Sequence, residues 1–558
     1  MELVVDKISD LEKKLRTVKM DVNVSQNLLI LSFRERNNRA QVKEFYGKTF
    51  DKVWNDFLKF YWNNPKYMTS FRIDIKTGEK KLDYNQFLTT LKGIKRNNYE
   101  DFNLRIEGLK RRSFLKEELA ANAILKPSKN HIVGRNSPEL SIDERNFKGY
   151  VKRKYNKVEL SLEYLKKSDI YFFTTDSFYF YNDRIYPLKN YGYGNRVREI
   201  NTENFFENLD LIIAEGGNYL LRQLQESGEF IYGYYPTYAQ RISGYNSVRH
   251  FSSLYALGEA AAFTKNEEML AATKQGLKWG IDYLAESIGE ELLIKDALRT
   301  EVEYKLGAQA TAILALAKYS EVTGDKQFDS VIQRLIMGVE TYFIKETAET
   351  IHVLNAELEV KELFRIIYYD GEILFSFLRA YDLLKDPKIF ETCQKLMKHF
   401  VESHYEKYHD HWLSYAVNEF LKYDQRKEYY LFGVKNVLEN IRFMENRDTA
   451  YPTLLELLVA AAKMMLKLEQ NPDRLAIFGS EEDFQNTKEK VFNVMTKRAY
   501  HEMTTGVMFP EFAQFFKHPE EITFGFYARH DRFRMRIDDA EHFLSGLVNY
   551  HLLMKGRE

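Results

Sequence analysis

A single cysteine, Cys393, in 558 residues excludes an internal disulfide framework and a cysteine-based metal site. No run approaches about 18 uninterrupted apolar residues, so no membrane span is expected. The first ten residues carry acids and no apolar signal core, which makes the cytoplasm the expected location. The chain also lacks a phosphate-binding GxxxxGK[ST], a nucleophile-elbow G-x-S-x-G, an HExxH and a GxGxxG. Tyr191-Gly192-Tyr193-Gly194-Asn195-Arg196 has two of the glycines of a dinucleotide loop, but Val197 stands where the third belongs. It reads as a turn, and no cofactor is expected.

Net charge is absent overall, with 81 basic and 81 acidic residues, but it is unevenly distributed. Residues 1–200 sum to +14 and residues 201–558 to −14, which supports two units and makes the first the natural partner for an anion. Its short basic runs, such as Lys80-Lys81 and Lys152-Arg153-Lys154, read as solvated faces, so no nucleic-acid partner is expected. Apolar residues make up 44% of the chain, as in a globular protein.

Residues 1–20 space Leu3, Val4, Ile8, Leu11, Leu15 and Val18 by threes and fours on a charged background, which predicts one amphipathic helix. Residues 21–200 mix strand-like runs (27–33, 70–75 and 169–181) with helical stretches at 42–61 and 114–125, and residues 75–79 read as a turn. This is an α+β domain. From residue 201 the texture changes to long helices, and blocks recur. Residues 254–269 align with 313–328 and then with 374–389, at offsets of 59 and 61. Each block is an apolar helix, a short polar turn and an amphipathic helix. Repetition at that length predicts an array of helix hairpins burying a shared core. Inner helices near 250, 305, 370, 412, 451 and 540 make six, enough to close a ring, with the last helix beside the one at 205–224.

The phrases Leu314-Ala-Leu-Ala-Lys-Tyr319 with Thr323-Gly-Asp-Lys326, and Tyr369-Asp-Gly-Glu-Ile-Leu374, carry a resemblance. Over residues 203–555 the hairpin pattern resembles the (α/α)6-toroid carbohydrate-active proteins, such as unsaturated glucuronyl hydrolases and N-acylglucosamine 2-epimerase-like enzymes. The resemblance implies an all-α (α/α)6 toroid in residues 201–558 and a sugar or uronic-acid-containing glycan as substrate.

In a toroid, the polar starts of the inner helices meet in one funnel. These are 245–250, 299–301, 368–372, 409–412, 446–449 and 536–539. Helix capping explains each Asp alone, but not the Arg, His and Tyr beside it. Asp370, Asp448 and Asp538 are the candidate acids for hydrolysis, and His250 and His530 the candidates for proton transfer in epimerisation. Residues 533–537 alternate, so Arg532, Arg534 and Arg536 share one strand-like face. That face either suits a carboxylate or phosphate or closes an internal ion-pair network with Asp531, Asp538, Asp539 and Glu541. Arg249, Arg534 and Arg536 are the candidates to hold that anion. Tyr234, Tyr245, Tyr369, Trp412 and His542 complete the binding set. The tyrosines of loop 229–245 form either a saccharide platform or a latch. His409 and His411 are one residue apart with no third ligand in register, so no metal is expected. A saccharide or anionic glycan is the expected partner, and a non-catalytic glycan-binding protein the competing reading. Oligomeric state is not legible.

Overall fold

The computed structural model describes residues 2–21, 26–108, 111–127, 140–156, 161–296 and 301–556. The chain forms two compact units. The first holds residues 1–205, 234–240 and 504–535; the second holds 206–233, 241–503 and 536–558. Residues 504–535, read from sequence as part of the helical half, thus pack with the N-terminal sheet. Arg198 on the sheet is fully buried and pairs at 2.9 Å with the buried Glu511.

The first unit is built on an antiparallel eight-stranded sheet: β1 (Asn27–Phe33), β2 (Gln41–Gly47), β3 (Phe71–Leu82), β4 (Asn103–Glu107), β5 (Arg112–Phe114), β6 (Asp169–Tyr181), β7 (Arg184–Gly192) and β8 (Asn195–Arg198). The strand order is β8-β7-β6-β3-β1-β2, and β4 joins β5 to β6. Three local expectations change. The start of the helix expected at 42–61 is β2, because pairing with β1 overrides local helical periodicity. The turn expected at 75–79 is a bulge inside β3, where the register shifts between Lys76 and Gly78. Phe114, the first residue of the second expected helix, is the last of β5, and the helix itself is Lys116–Ala121. The two-glycine segment is the turn between β7 and β8, with Gly192 and Gly194 at φ of 79° and 77°.

A polar cluster is buried in this sheet. Arg72 pairs with Asp74 at 2.8 Å and Glu117 at 2.9 Å, and Arg196 meets Glu117 at 3.0 Å. Burial alone would raise the Glu117 carboxyl. The two guanidiniums outweigh it and hold the group well below the usual carboxylate range.

The second unit is a closed (α/α)6 toroid. Its helices are α1 (Phe205–Gln223), α2 (Ser247–Thr264), α3 (Glu267–Leu284), α4 (Leu306–Thr323), α5 (Asp329–Tyr342), α6 (Tyr369–Leu384), α7 (Pro387–Glu402), α8 (His411–Phe420), α9 (Lys427–Leu438), α10 (Thr453–Glu469), α11 (Glu481–Thr505) and α12 (Ile537–Lys555). The even-numbered helices pack each against the next, and α12 packs against α2, which closes the ring. α12 also meets α1 through His551 and Asp210 at 2.8 Å.

The inner helices are apolar on nearly every face and rich in alanine; α4 buries an unbroken run from Leu306 to Ala317. Outer helices bury one stripe, as α7 does with Ile389, Cys393, Leu396, Met397 and Phe400. The repeat is visible in the backbone: α2, α4 and α6 each end in a left-handed residue, Lys265, Gly324 and Lys385. Those three stand at the same offsets as the sequence blocks. No helix among the described residues is long and apolar enough to cross a membrane.

Candidate functional site

The N-terminal turns of four of the six inner helices, α2, α6, α8 and α12, line a cavity of about 200 Å³ within the toroid. α2 contributes Arg249 and Ser252, and α6 contributes Tyr369 and Glu372, with Tyr368 just before it. α8 contributes Trp412, and α12 contributes Asp538, Glu541 and His542. In a ring of six, α6 and α12 stand opposite each other. Glu372 and His542 therefore approach the cavity from opposite walls.

Five of the sequence candidates line it: Arg249, Tyr369, Trp412, Asp538 and His542. Arg249 Nε lies 2.9 Å from Asp538 Oδ2, and Arg536 Nη2 lies 3.2 Å from the same oxygen. The arginine charge at this wall is thus already matched by acids.

The remaining candidates are placed elsewhere. Asp370, two residues from Glu372, turns away and bonds Thr350 and His352, the latter at 3.2 Å. The carbonyl of Asp448 accepts from His501 at 3.0 Å, and Arg498 holds the neighbouring carbonyls of Arg447 and Thr449 at 2.8 and 3.1 Å. That polar stretch is a clamped helix end. Arg536 ties α12 to itself through Asp539 at 2.9 Å. Tyr234, His530 and Arg534 belong to the first unit, where Arg534 pairs with Asp531 at 2.6 Å. The strand-like face expected from the alternation at 533–537 does not form, because Arg532 and Phe533 are both left-handed, at φ of 57° and 56°. Arg299 and Thr300 lie outside the described residues.

His250 is a core residue. Its Nδ1 is 2.8 Å from the Tyr245 hydroxyl, its Nε2 is 3.0 Å from the Gly276 carbonyl, and its ring meets Trp279 at 4.9 Å. Tyr245 is thus engaged with His250 and Trp279 and does not line the cavity. Burial pushes the His250 pKa down to about 4. The folded chain then binds fewer protons than the unfolded chain, whose histidine titrates near 6.5. The stability supplied by the neutral ring is full above about pH 6.5 and is lost as pH falls toward about 4. His250→Phe is expected to flatten the acid side of the toroid's stability profile. Denaturant midpoints measured between those pH values check this, and an unchanged slope counts against it.

Sequence reasoning passed over Glu456, gave Glu372 and Glu541 no part in the chemistry, and weighed His411 only beside His409. Glu372 is 4% exposed, and its Oε2 makes no hydrogen bond. Burial, with Asp410 and Asp370 nearby, pushes its carboxyl well above the usual range and so favours its protonated form. His542 Nδ1 stands 2.9 Å from Glu456 Oε2 and 3.1 Å from Glu541 Oε2. Burial raises both carboxyls, Glu456 to about 8. In its ionised form Glu456 accepts the Nδ1 proton and leaves Nε2 with a lone pair. His411 lies behind, its ring centroid 5.1 Å from that of His542. The missed signal was a carboxylate inside an apolar inner helix, such as Glu456 within residues 454–462; such a residue is almost never buried without a task or a partner.

No protein-family model and no curated protein matches the chain. Among solved structures it is similar to a D-mannose isomerase, at 10% identity over 64% of this chain and 100% of that one, with a TM-score of 0.49. It is also similar to cellobiose 2-epimerase from Spirochaeta thermophila DSM 6192, at 13% identity over 63% and 100%, with a TM-score of 0.45. A third is the GH76A alpha-1,6-mannanase from Salegentibacter sp. HEL1_6, at 11% identity over 62% and 99%, with a TM-score of 0.42. At such identities the likeness is one of fold, and the toroid rests on its own helix contacts.

Proposed function

We propose that the protein is a carbohydrate-active enzyme that moves a proton on a single sugar unit, as an epimerase or isomerase does. The observation that carries this reading is the pairing of a histidine and a buried carboxyl, raised above its usual range, on opposite walls of one cavity. His542 Nε2 takes the proton from the carbon beside the carbonyl of an open-chain sugar. The electron pair moves into an enediol, and Glu372 donates its proton to the carbonyl oxygen. Return of a proton to the opposite face of the same carbon, with ionised Glu372 taking back the proton it gave the oxygen, gives the epimer. Return to the neighbouring carbon, with the other hydroxyl giving up its proton, gives the isomer. Glu456 and Glu541 are positioning residues that hold the His542 ring.

A cavity of about 200 Å³ is smaller than the roughly 300–1,000 Å³ of sites for drug-sized ligands, which favours one ring over a polymer. Trp412 and Tyr369 offer flat faces, and Asn246 and Ser252 offer hydroxyl partners. Arg249 is matched by Asp538, which favours a neutral sugar over a uronic acid. Incubation with neutral reducing sugars in D2O is expected to place deuterium on the carbon next to the carbonyl, read by NMR. New reducing ends without deuterium would make the enzyme a hydrolase. Saturable binding with neither change would make it a binding protein.

A further inference from the structure

We propose that His411, Glu456 and His542 form a site for a divalent transition metal of the zinc class, and that its occupancy switches off proton transfer. Their ligand atoms lie within 4.8 Å of one another. Glu456 Oε2 is 2.9 Å from His542 Nδ1 and 3.8 Å from His411 Nε2. Two ligands on a tetrahedral zinc stand about 3.4 Å apart, given bonds of about 2.0–2.2 Å. These two separations bracket that value, so a small rotation of each side chain brings the set to one ion.

A second observation points to a ligand. His411 is 3% exposed, and its Nε2, the atom facing Glu456, makes no hydrogen bond. A buried ring nitrogen without a partner is costly unless something binds it. Two imidazoles and one carboxylate select zinc, iron, nickel or copper over magnesium or calcium, which prefer oxygen donors. The three ligands come from α8, α10 and α12, consecutive members of the ring, so the packed core presets their geometry. With three protein ligands the coordination sphere keeps an open position.

Binding at Nδ1 of His542 displaces the proton from that nitrogen, and the neutral ring then carries its one proton on Nε2, taken up there from solvent. The ring then donates on the cavity side and no longer accepts. The inhibitory half of the inference rests on the proton-transfer reading above, and the binding half does not.

Visible absorption of Co2+ added to the intact protein tests the binding half without any substrate. One intensely coloured, low-coordinate Co2+ per chain is expected, displaced by Zn2+. His411→Ala and the nearly isosteric Glu456→Gln should each weaken binding by at least about 10–100-fold, the range seen even for partners behind metal ligands. His404→Ala, which removes an exposed histidine beside Glu406, should leave it unchanged. Folding of each variant is checked by circular dichroism, and Glu456→Gln serves if His411→Ala does not fold. No Co2+ bound by the wild-type chain, or equal binding in Glu456→Gln, overturns the site. Binding lost only in His404→Ala shows an adventitious surface ion and overturns it too. Zn2+ should also stop deuterium incorporation. Binding that leaves incorporation intact overturns the switch while preserving the site.

Discussion

His542→Gln and Glu372→Gln are each expected to lower turnover of the sugar by about 10²–10⁴-fold, the usual worth of a positioned acid or base. The two should differ in pH dependence. Glu372 acts in its protonated form, so activity falls on the alkaline side as the buried carboxyl ionises. In Glu372→Gln that alkaline limb disappears along with most of the rate. Stability separates the chemical role from a structural one. A carboxyl whose folded pKa is raised contributes stability that is present below its unfolded value, near 4.3, and lost as pH rises through the folded value. The wild-type toroid therefore weakens with rising pH from this group, and Glu372→Gln should be flatter and more resistant to alkali. Profiles of kcat/KM against pH, beside melting curves of both variants, decide the matter. Undiminished turnover in Glu372→Gln would remove it from the mechanism.

Arg72→Met is expected to destabilise the sheet-bearing unit by about 3–5 kcal/mol, because it leaves Asp74 and Glu117 buried with half their compensation gone. Arg196 still meets Glu117, but Asp74 loses the partner 2.8 Å away. The acid response changes with it. Glu117 has a lowered folded pKa, so its contribution is present above the unfolded value and lost only as pH falls through the lowered one. Without Arg72 that value rises, and unfolding should begin at milder acid. Hydrogen exchange followed by mass spectrometry reads β1–β8 separately from α2–α10, and only the former should lose protection. A change within about 0.5 kcal/mol would show that the cluster is not needed for stability.

The toroid was legible because repetition is a sum of many weak signals. Lys265, Gly324 and Lys385 close successive inner helices at matching positions, and all-round apolar helices can be buried only inside a ring of others. The sheet was less legible. Residues 42–47 have no strong preference, and their strand state comes from partners in β1 that are distant in local periodicity. Half of the candidate site could be read from the polar helix starts. The other half depended on direction around a helix. Asp370 and Glu372 are two residues apart, which is about 200° of rotation, so one faces Thr350 and the other the cavity. Composition at a helix start says that polar groups are present and not which of them points inward. The third partner for the histidines was hidden for a related reason: Glu456 and His542 are 86 positions apart, and only closure of the ring makes them neighbours.

The chain passes from one compact unit to the other after residues 205, 233, 240, 503 and 535. A fragment ending at 205 would carry Arg198 without Glu511, and the carbonyl of Asn98 without the Arg529 guanidinium that binds it at 3.1 Å. Neither unit is a contiguous length of sequence, so no single cut yields either one whole. Gene fusion, truncation or domain exchange, which act on contiguous segments, can move this architecture only as one piece.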